Sequence, residues 1–166
     1  MITAPGAPAE PVDAIERGLP GVLLEYGYVA SDVERIERLP MRIKNLNYRV
    51  RAGGREWVVK CHDSPIAASR LALPQRFELA LSDAGYPVAE IRRTTSGRTV
   101  VERDGRAFTL HAWVDGQQLS LDTRDEHLAR HPRLVEDLGA AVGGLHRVGA
   151  ALAAGDDASS VDTASL

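Results

Sequence analysis

The chain has 166 residues, 44% of them hydrophobic, and a formal charge of −3. That length suits one domain, or a small lobe with an appendage. The slight negative charge gives no general attraction to nucleic acid or anionic lipid, and no apolar run is long enough to cross a bilayer. A single cysteine, Cys61, rules out an internal disulfide.

Met1 to Pro11 is rich in Ala and Pro and has neither a basic region nor an apolar stretch, so it does not read as a signal peptide. A disordered leader and a cytoplasmic protein are the expectation. Residues 12–28 then show helical spacing, with Ile15, Leu19 and Leu23 able to share a face. Pro20-Gly21 is expected to break or kink that helix. Ser31-Asp32 suits a short turn or cap. Val33 to Leu39 is ambiguous in period and is read as a first strand ending near Pro40.

Pro40 to Asn47 is a loop whose backbone amides, with Lys44 or Asn45, can approach a phosphate. It contains no glycine and so lacks the freedom of a Gly-rich phosphate loop; a plain connection is the simpler reading. Leu46 to Ala52 alternates, with Tyr48, Val50 and Ala52 on one side and Asn47, Arg49 and Arg51 on the other. Gly53-Gly54 suits a tight hairpin turn. Arg55 to Cys61 returns, with Trp57, Val59 and Cys61 facing one way and Glu56, Val58 and Lys60 the other.

Lys60 is one of two lysines in the chain. A half-buried lysine is costly unless its charge finds a partner. Either its ammonium meets nucleotide phosphates, or its stem snorkels to water.

Ser64-Pro65 opens a stretch with no strand pattern. Leu71, Leu73, Phe77, Leu81 and Ala84 predict a helical stripe, stopped by Gly85 with Pro87 beyond. Glu78 is the acid in the middle of this helix. It is a candidate to orient a lysine, against the simpler reading of a solvated surface glutamate, and Gln75 is a weaker candidate. Thr99 to Arg103 and Arg106 to Val114 read as strands joined by Asp104-Gly105. His111-Ala112-Trp113-Val114 ends the last strand, and Trp113 is expected in the core.

His127 and His131 stand four apart, but Glu126 precedes the pair and Pro132 disrupts the helix, so a metal site is not favoured. Leu134 to Val148 is the clearest helix. Leu134, Leu138, Val142 and Leu145 are expected as its apolar face, with His146 packed on it. Gly139 and Gly143 there permit close approach of a neighbour. Asp137-Leu138-Gly139 lies inside the helix and does not read as a metal-binding loop. Residues 155–166 read as a disordered or truncated tail.

In this order, several short stretches resemble the aminoglycoside phosphotransferase and homoserine kinase group of small-molecule kinases. They are Asn45-Leu46-Asn47-Tyr48-Arg49-Val50, Trp57-Val58-Val59-Lys60 and Ala84-Gly85-Tyr86-Pro87-Val88, then Thr94 to Thr99 with Gly97. Val114-Asp115-Gly116 and Leu138-Gly139 through Leu145-His146 complete the set, and the resemblance runs from about Val33 to Val148. It implies an α+β fold: a protein-kinase-like amino-terminal lobe, with a five-stranded antiparallel sheet and one helix, then the first helices of a truncated carboxy-terminal lobe. The expected division is a leader over 1–11, the lobe with its leading helix over 12–114, a hinge and helical start over 115–149, and a tail over 150–166.

The resemblance also implies ATP as cofactor. Lys60 would contact its phosphates, and Asn45 would shape the loop over them, with Lys44 beside it as that loop's other candidate. Glu78 would sit in the position that orients the lysine. His111, Ala112, Trp113 and Val114 would neighbour adenine. The family's His-x-Asp loop and its later Mg²⁺ ligands have no counterpart here, so Mg²⁺ is expected only if a missing lobe is supplied, and no activity is expected of the chain alone. The implied partners are a nucleotide and either that lobe or a second copy, met through the 134–148 helix. The alternative is a non-catalytic nucleotide- or protein-binding module derived from such a kinase.

Overall fold

The computed structural model describes residues 12–40, 45–62, 68–116 and 124–154. The chain divides into two compact units. One is Met1–Pro65 with Arg93–Leu110; the other is Ile66–Arg92 with His111–Leu166.

The first unit opens with α1, Val12–Glu25, which runs unbroken through Pro20. The expected break does not occur. Proline in a helix interior costs about 3 kcal/mol, but Leu19, Val22, Leu23 and Tyr26 around it are fully buried. Tertiary burial therefore holds the helix together across the missing hydrogen bond. Gly21 gives up its side-chain space to Arg103, because an added Cβ would lie 2.5 Å from Nη1 of that residue. The Tyr26 hydroxyl reaches the carbonyls of Thr99 at 3.0 Å and Phe108 at 3.1 Å, tying the helix end to the last hairpin.

After a 3-10 turn come β1 (Val33–Arg38), β2 (Asn45–Ala52), β3 (Arg55–His62), β4 (Val100–Arg103) and β5 (Arg106–Ala112). They form one five-stranded antiparallel sheet in the order β1-β2-β3-β5-β4. Gly53 and Gly54 have φ of +57° and +71°, as the tight β2–β3 hairpin demands. Asp104 and Gly105 do the same for β4–β5. One sheet face is the core, carrying Tyr48, Val50, Trp57, Val59 and Cys61. The expected alternation is met in both strands.

In the second unit, α2 (Ala68–Asp83) packs on α4 (Leu134–Ala154). Ala80, Leu81, Ala84 and Val148 are buried together, with Phe77, Tyr86, Val88 and Leu145 around them. Gly85, at φ +74°, ends α2, and Tyr86 N–H closes back on Leu81 O at 2.8 Å. The Tyr86 hydroxyl donates to Ala141 O on α4. A short helix, α3 (Arg124–Arg130), precedes α4. No described helix is long and apolar enough to cross a membrane.

Three expectations need correction here. Leu73 is 73% exposed and leaves the α2 stripe, which is built on Phe77, Ala80, Leu81 and Ala84 instead. On α4 the packed side is Leu145 and Val148, whereas Leu138 and Val142 are 62% and 46% exposed and His146 is exposed. The helix also outruns Val148 to Ala154, since the alanines after Gly149 are the strongest helix formers.

The α4 glycines differ from expectation as well. Gly139 has no heavy atom within 4 Å of where a Cβ would stand, and Gly143 meets only the Arg147 side chain at 3.7 Å. The glycine facing α2 is Gly149, whose Cβ would lie 3.4 Å from the Phe77 ring. Gly139→Ala is therefore expected to raise stability by about 0.5–1 kcal/mol through helix propensity alone. A lower urea midpoint in the variant would show that a neighbour does occupy that side.

Candidate functional site

The sheet face opposite the core collects the polar residues of β2 and β3. Register places Asn47 across from Lys60 and Asn45 across from His62. Lys60 is half-buried and belongs to this face by the alternation of β3. Asn45 is half-buried at the start of β2. Lys44 lies outside the described residues.

Two features of this face were missed in the sequence. His62 shares the face with Lys60 by simple alternation, and its Nε2 lies 3.4 Å from the Thr109 hydroxyl of β5. Burial first, and then the charge of Lys60, hold His62 below the usual imidazole pKa of 6.5. His62 therefore stays neutral and leaves the lysine as the cation. Asn47 carries its carbonyl Oδ1 buried with no hydrogen-bond partner. A buried acceptor in that state carries a desolvation penalty until a donor reaches it.

The arginines on the same face are already matched. Arg49 meets Glu56 at 2.8 Å, Arg51 meets Glu34 at 2.9 Å, and Arg35 lies 3.7 Å from Glu37. Their charges cancel locally. Within this unit no described carboxylate pairs with Lys60, so an anion approaching the face finds net positive charge at the lysine and little at the arginines.

The depressed His62 pKa has a consequence for stability. The unfolded chain takes up the proton first, so stability falls as pH drops through 6.5. His62→Gln is expected to flatten part of that slope. Urea midpoints at about pH 8 and pH 5.5 read it, and parallel slopes in wild type and variant would dismiss His62 as the cause.

The second unit holds the strand end. An isolated antiparallel bridge joins Ile91 to His111, and Ala112 N–H donates to Glu90 O at 2.8 Å. These contacts fix the first two residues of the expected adenine segment. His111 is 5% exposed, and its Nδ1 lies 3.8 Å from Glu78 Oε2. Glu78 is thus neither a wholly solvated surface glutamate nor part of the packed stripe. It stands 39% exposed on α2 against a histidine 33 positions away. Nothing in the local pattern announces that pair.

Trp113 is not a core residue. Its ring is half-buried, and its indole N–H donates to Asp115 Oδ1 at 2.8 Å, two residues on. The strand has ended at Ala112, so Trp113 no longer faces the sheet interior. Val114 beyond it is 64% exposed. His127 lies within α3 and His131 just after its end. Among the described residues no three His, Cys, Asp or Glu side chains converge as a metal site.

A family described as the phosphotransferase enzyme family matches residues 35–163. No curated protein matches the chain. Among solved structures, the chain is similar to the spectinomycin phosphotransferase APH(9)-Ia, solved in complex with ADP and spectinomycin, at 12% identity and a TM-score of 0.48. The similarity covers 63% of this chain and 32% of that one, so the chain spans less than two thirds of that protein's length.

Proposed function

This chain belongs to the phosphotransferase enzyme family, and on that footing we propose that it supplies the ATP-binding portion of a small-molecule phosphotransferase. Such an enzyme moves the γ-phosphoryl group of ATP to a substrate hydroxyl. The observation that carries the reading is Lys60, a half-buried cation on a sheet face where His62 is kept neutral and the arginines are matched by glutamates. Its ammonium takes the α- and β-phosphates, with Asn45 beside them; Lys44, the other residue expected there, lies outside the described residues. The His111-Ala112-Trp113-Val114 segment is the proposed neighbour of adenine, through backbone groups and apolar side chains. A cytoplasmic location belongs to the same proposal.

Phosphoryl transfer also needs a positioned base and metal ligands. The described residues hold no cluster that fits Mg²⁺, so no step is routed through it. None of the five histidines is followed two residues later by aspartate. The polypeptide by itself is therefore expected to bind nucleotide without transferring phosphate. Titration with a fluorescent ADP analogue, alongside a radiolabelled transfer assay, tests both parts. No saturable binding by about 1 mM, the weak end of ordinary enzyme affinities, sinks the nucleotide reading. Transfer that Lys60→Ala abolishes sinks the inactivity.

One observation favours a second reading, a non-catalytic module that binds a protein partner or itself. Val135, Leu138 and Val142 on α4 are large, apolar and exposed. Sedimentation velocity reads this directly: a monomer at all concentrations, with no partner retained, counts against it.

A further inference from the structure

Resting on the nucleotide reading, we propose that Asn47 is a positioning residue for Lys60: its carboxamide oxygen accepts a hydrogen bond from the ammonium once an anion occupies the face. The observation that carries this is Asn47 Oδ1, which is sealed from solvent and has no hydrogen-bond partner. A buried acceptor left unmatched is destabilising, and stays so until a donor arrives. Because solvent does not reach the oxygen, that donor is a side chain already beside it and not the ligand itself.

Register identifies the side chain. Asn47 and Lys60 are directly opposed across β2 and β3, and both are half-buried on the same face. Opposed residues stand with Cβ atoms about 4.5–5.5 Å apart, a gap that a four-carbon stem spans. Asn45 and Arg49, two positions along β2, are farther, at about 6.5–7 Å. Arg49 Nε already donates to Glu56 at 2.8 Å, and His62 Nε2, diagonal to Asn47, stands 3.4 Å from the Thr109 hydroxyl. All of these residues belong to the first unit. The chemistry of the partner also matters. Arg49 and Arg51 meet the carboxylates of Glu56 and Glu34, which cancel their charge. An amide oxygen fixes an ammonium through one N–H without cancelling it, and leaves two N–H donors for phosphate oxygens.

Calorimetric titration with ADP and with inorganic tripolyphosphate tests the assignment. Asn47→Leu is expected to weaken both ligands about fivefold, the worth of one ordinary hydrogen bond. Its urea midpoint stays at or above that of wild type, because the unmatched oxygen is gone. Asn47→Asp keeps the shape but sets a carboxylate against the ammonium, and is expected to weaken both ligands about tenfold or more. In the Lys60→Ala background the Asn47→Leu loss shrinks to within about twofold, since Asn47 acts only through the lysine. An undiminished loss in that background overturns the assignment, and so does an Asn47→Asp variant that binds as tightly as wild type. Wild type that binds neither ligand removes the nucleotide reading and takes this assignment with it; wild type that binds both, with affinity lost in Lys60→Ala but in neither Asn47 variant, removes the assignment alone.

Discussion

Lys60→Ala is expected to weaken nucleotide binding about ten- to a hundredfold, or ~1.5–3 kcal/mol, the usual worth of a hydrogen bond to a charged group. The size follows from the surroundings of the ammonium. Lys60 is half-buried, and water screens a charge there less than at an open surface. His62, on the same face, is pushed toward its neutral form by burial and then by Lys60 itself. Arg49 and Arg51 cannot substitute, because Glu56 and Glu34 already occupy them at 2.8 and 2.9 Å.

Lys60→Arg is not a conservative replacement there. The lysine offers a compact point charge, while a planar guanidinium would need new room opposite Asn47. Calorimetric titration at fixed ionic strength measures the effect. An affinity unchanged within twofold would remove Lys60 from the site. A second reading of the same variant concerns His62, whose pKa should rise once the neighbouring charge is gone. An NMR titration of that imidazole gives the sign independently of nucleotide binding.

The largest expected effect on stability belongs to Trp57→Ala, which should cost about 3–5 kcal/mol. Trp57 is fully buried on the core face of β3. Its indole N–H donates to Ala52 O at 3.3 Å across the hairpin. The Tyr28 ring lies 5.9 Å away, tilted against it, and the Arg55 guanidinium caps the ring at 4.7 Å. Truncation leaves a cavity that a paired strand cannot collapse, and it leaves the Ala52 carbonyl without that donor. Against a typical total of 5–15 kcal/mol, such a loss brings the chain near its unfolding threshold.

Trp57→Phe keeps most of the volume and should lose well under half as much. Urea denaturation followed by circular dichroism gives both numbers. A deficit under about 1 kcal/mol for the alanine variant would mean that the hairpin repacks. Nucleotide binding separates the two variants of this strand. Lys60→Ala loses affinity while still folded, and Trp57→Ala loses it only as the folded fraction falls.

What could be read from the residues alone was whatever depends on neighbours in sequence. The alternation of Tyr48, Val50 and Ala52 with Asn47, Arg49 and Arg51 is enforced by strand geometry within a few positions, and the pleat obeyed it. Gly53-Gly54 and Asp104-Gly105 name their turns because positive φ is a local property. Lys60 on the polar face of β3 follows from the same arithmetic, and so would His62 two residues on.

Faces and partners were decided by tertiary structure. α4 carries Val135, Leu138, Val142, Leu145 and Val148 along one stripe that covers less than half of its circumference, and period alone cannot say which part of that stripe packs. The choice fell to contact with Phe77 and Leu81 of α2. Pro20 stays inside α1 because buried leucines on both sides outweigh a lost hydrogen bond. Glu78 and His111 meet only when the chain between them has folded back through Ile91. Local sequence determines direction along a strand and the sign of a turn, because those energies are set by bonded geometry. Which distant charge a buried imidazole faces is set by packing, whose energy exists only once the distant parts are together.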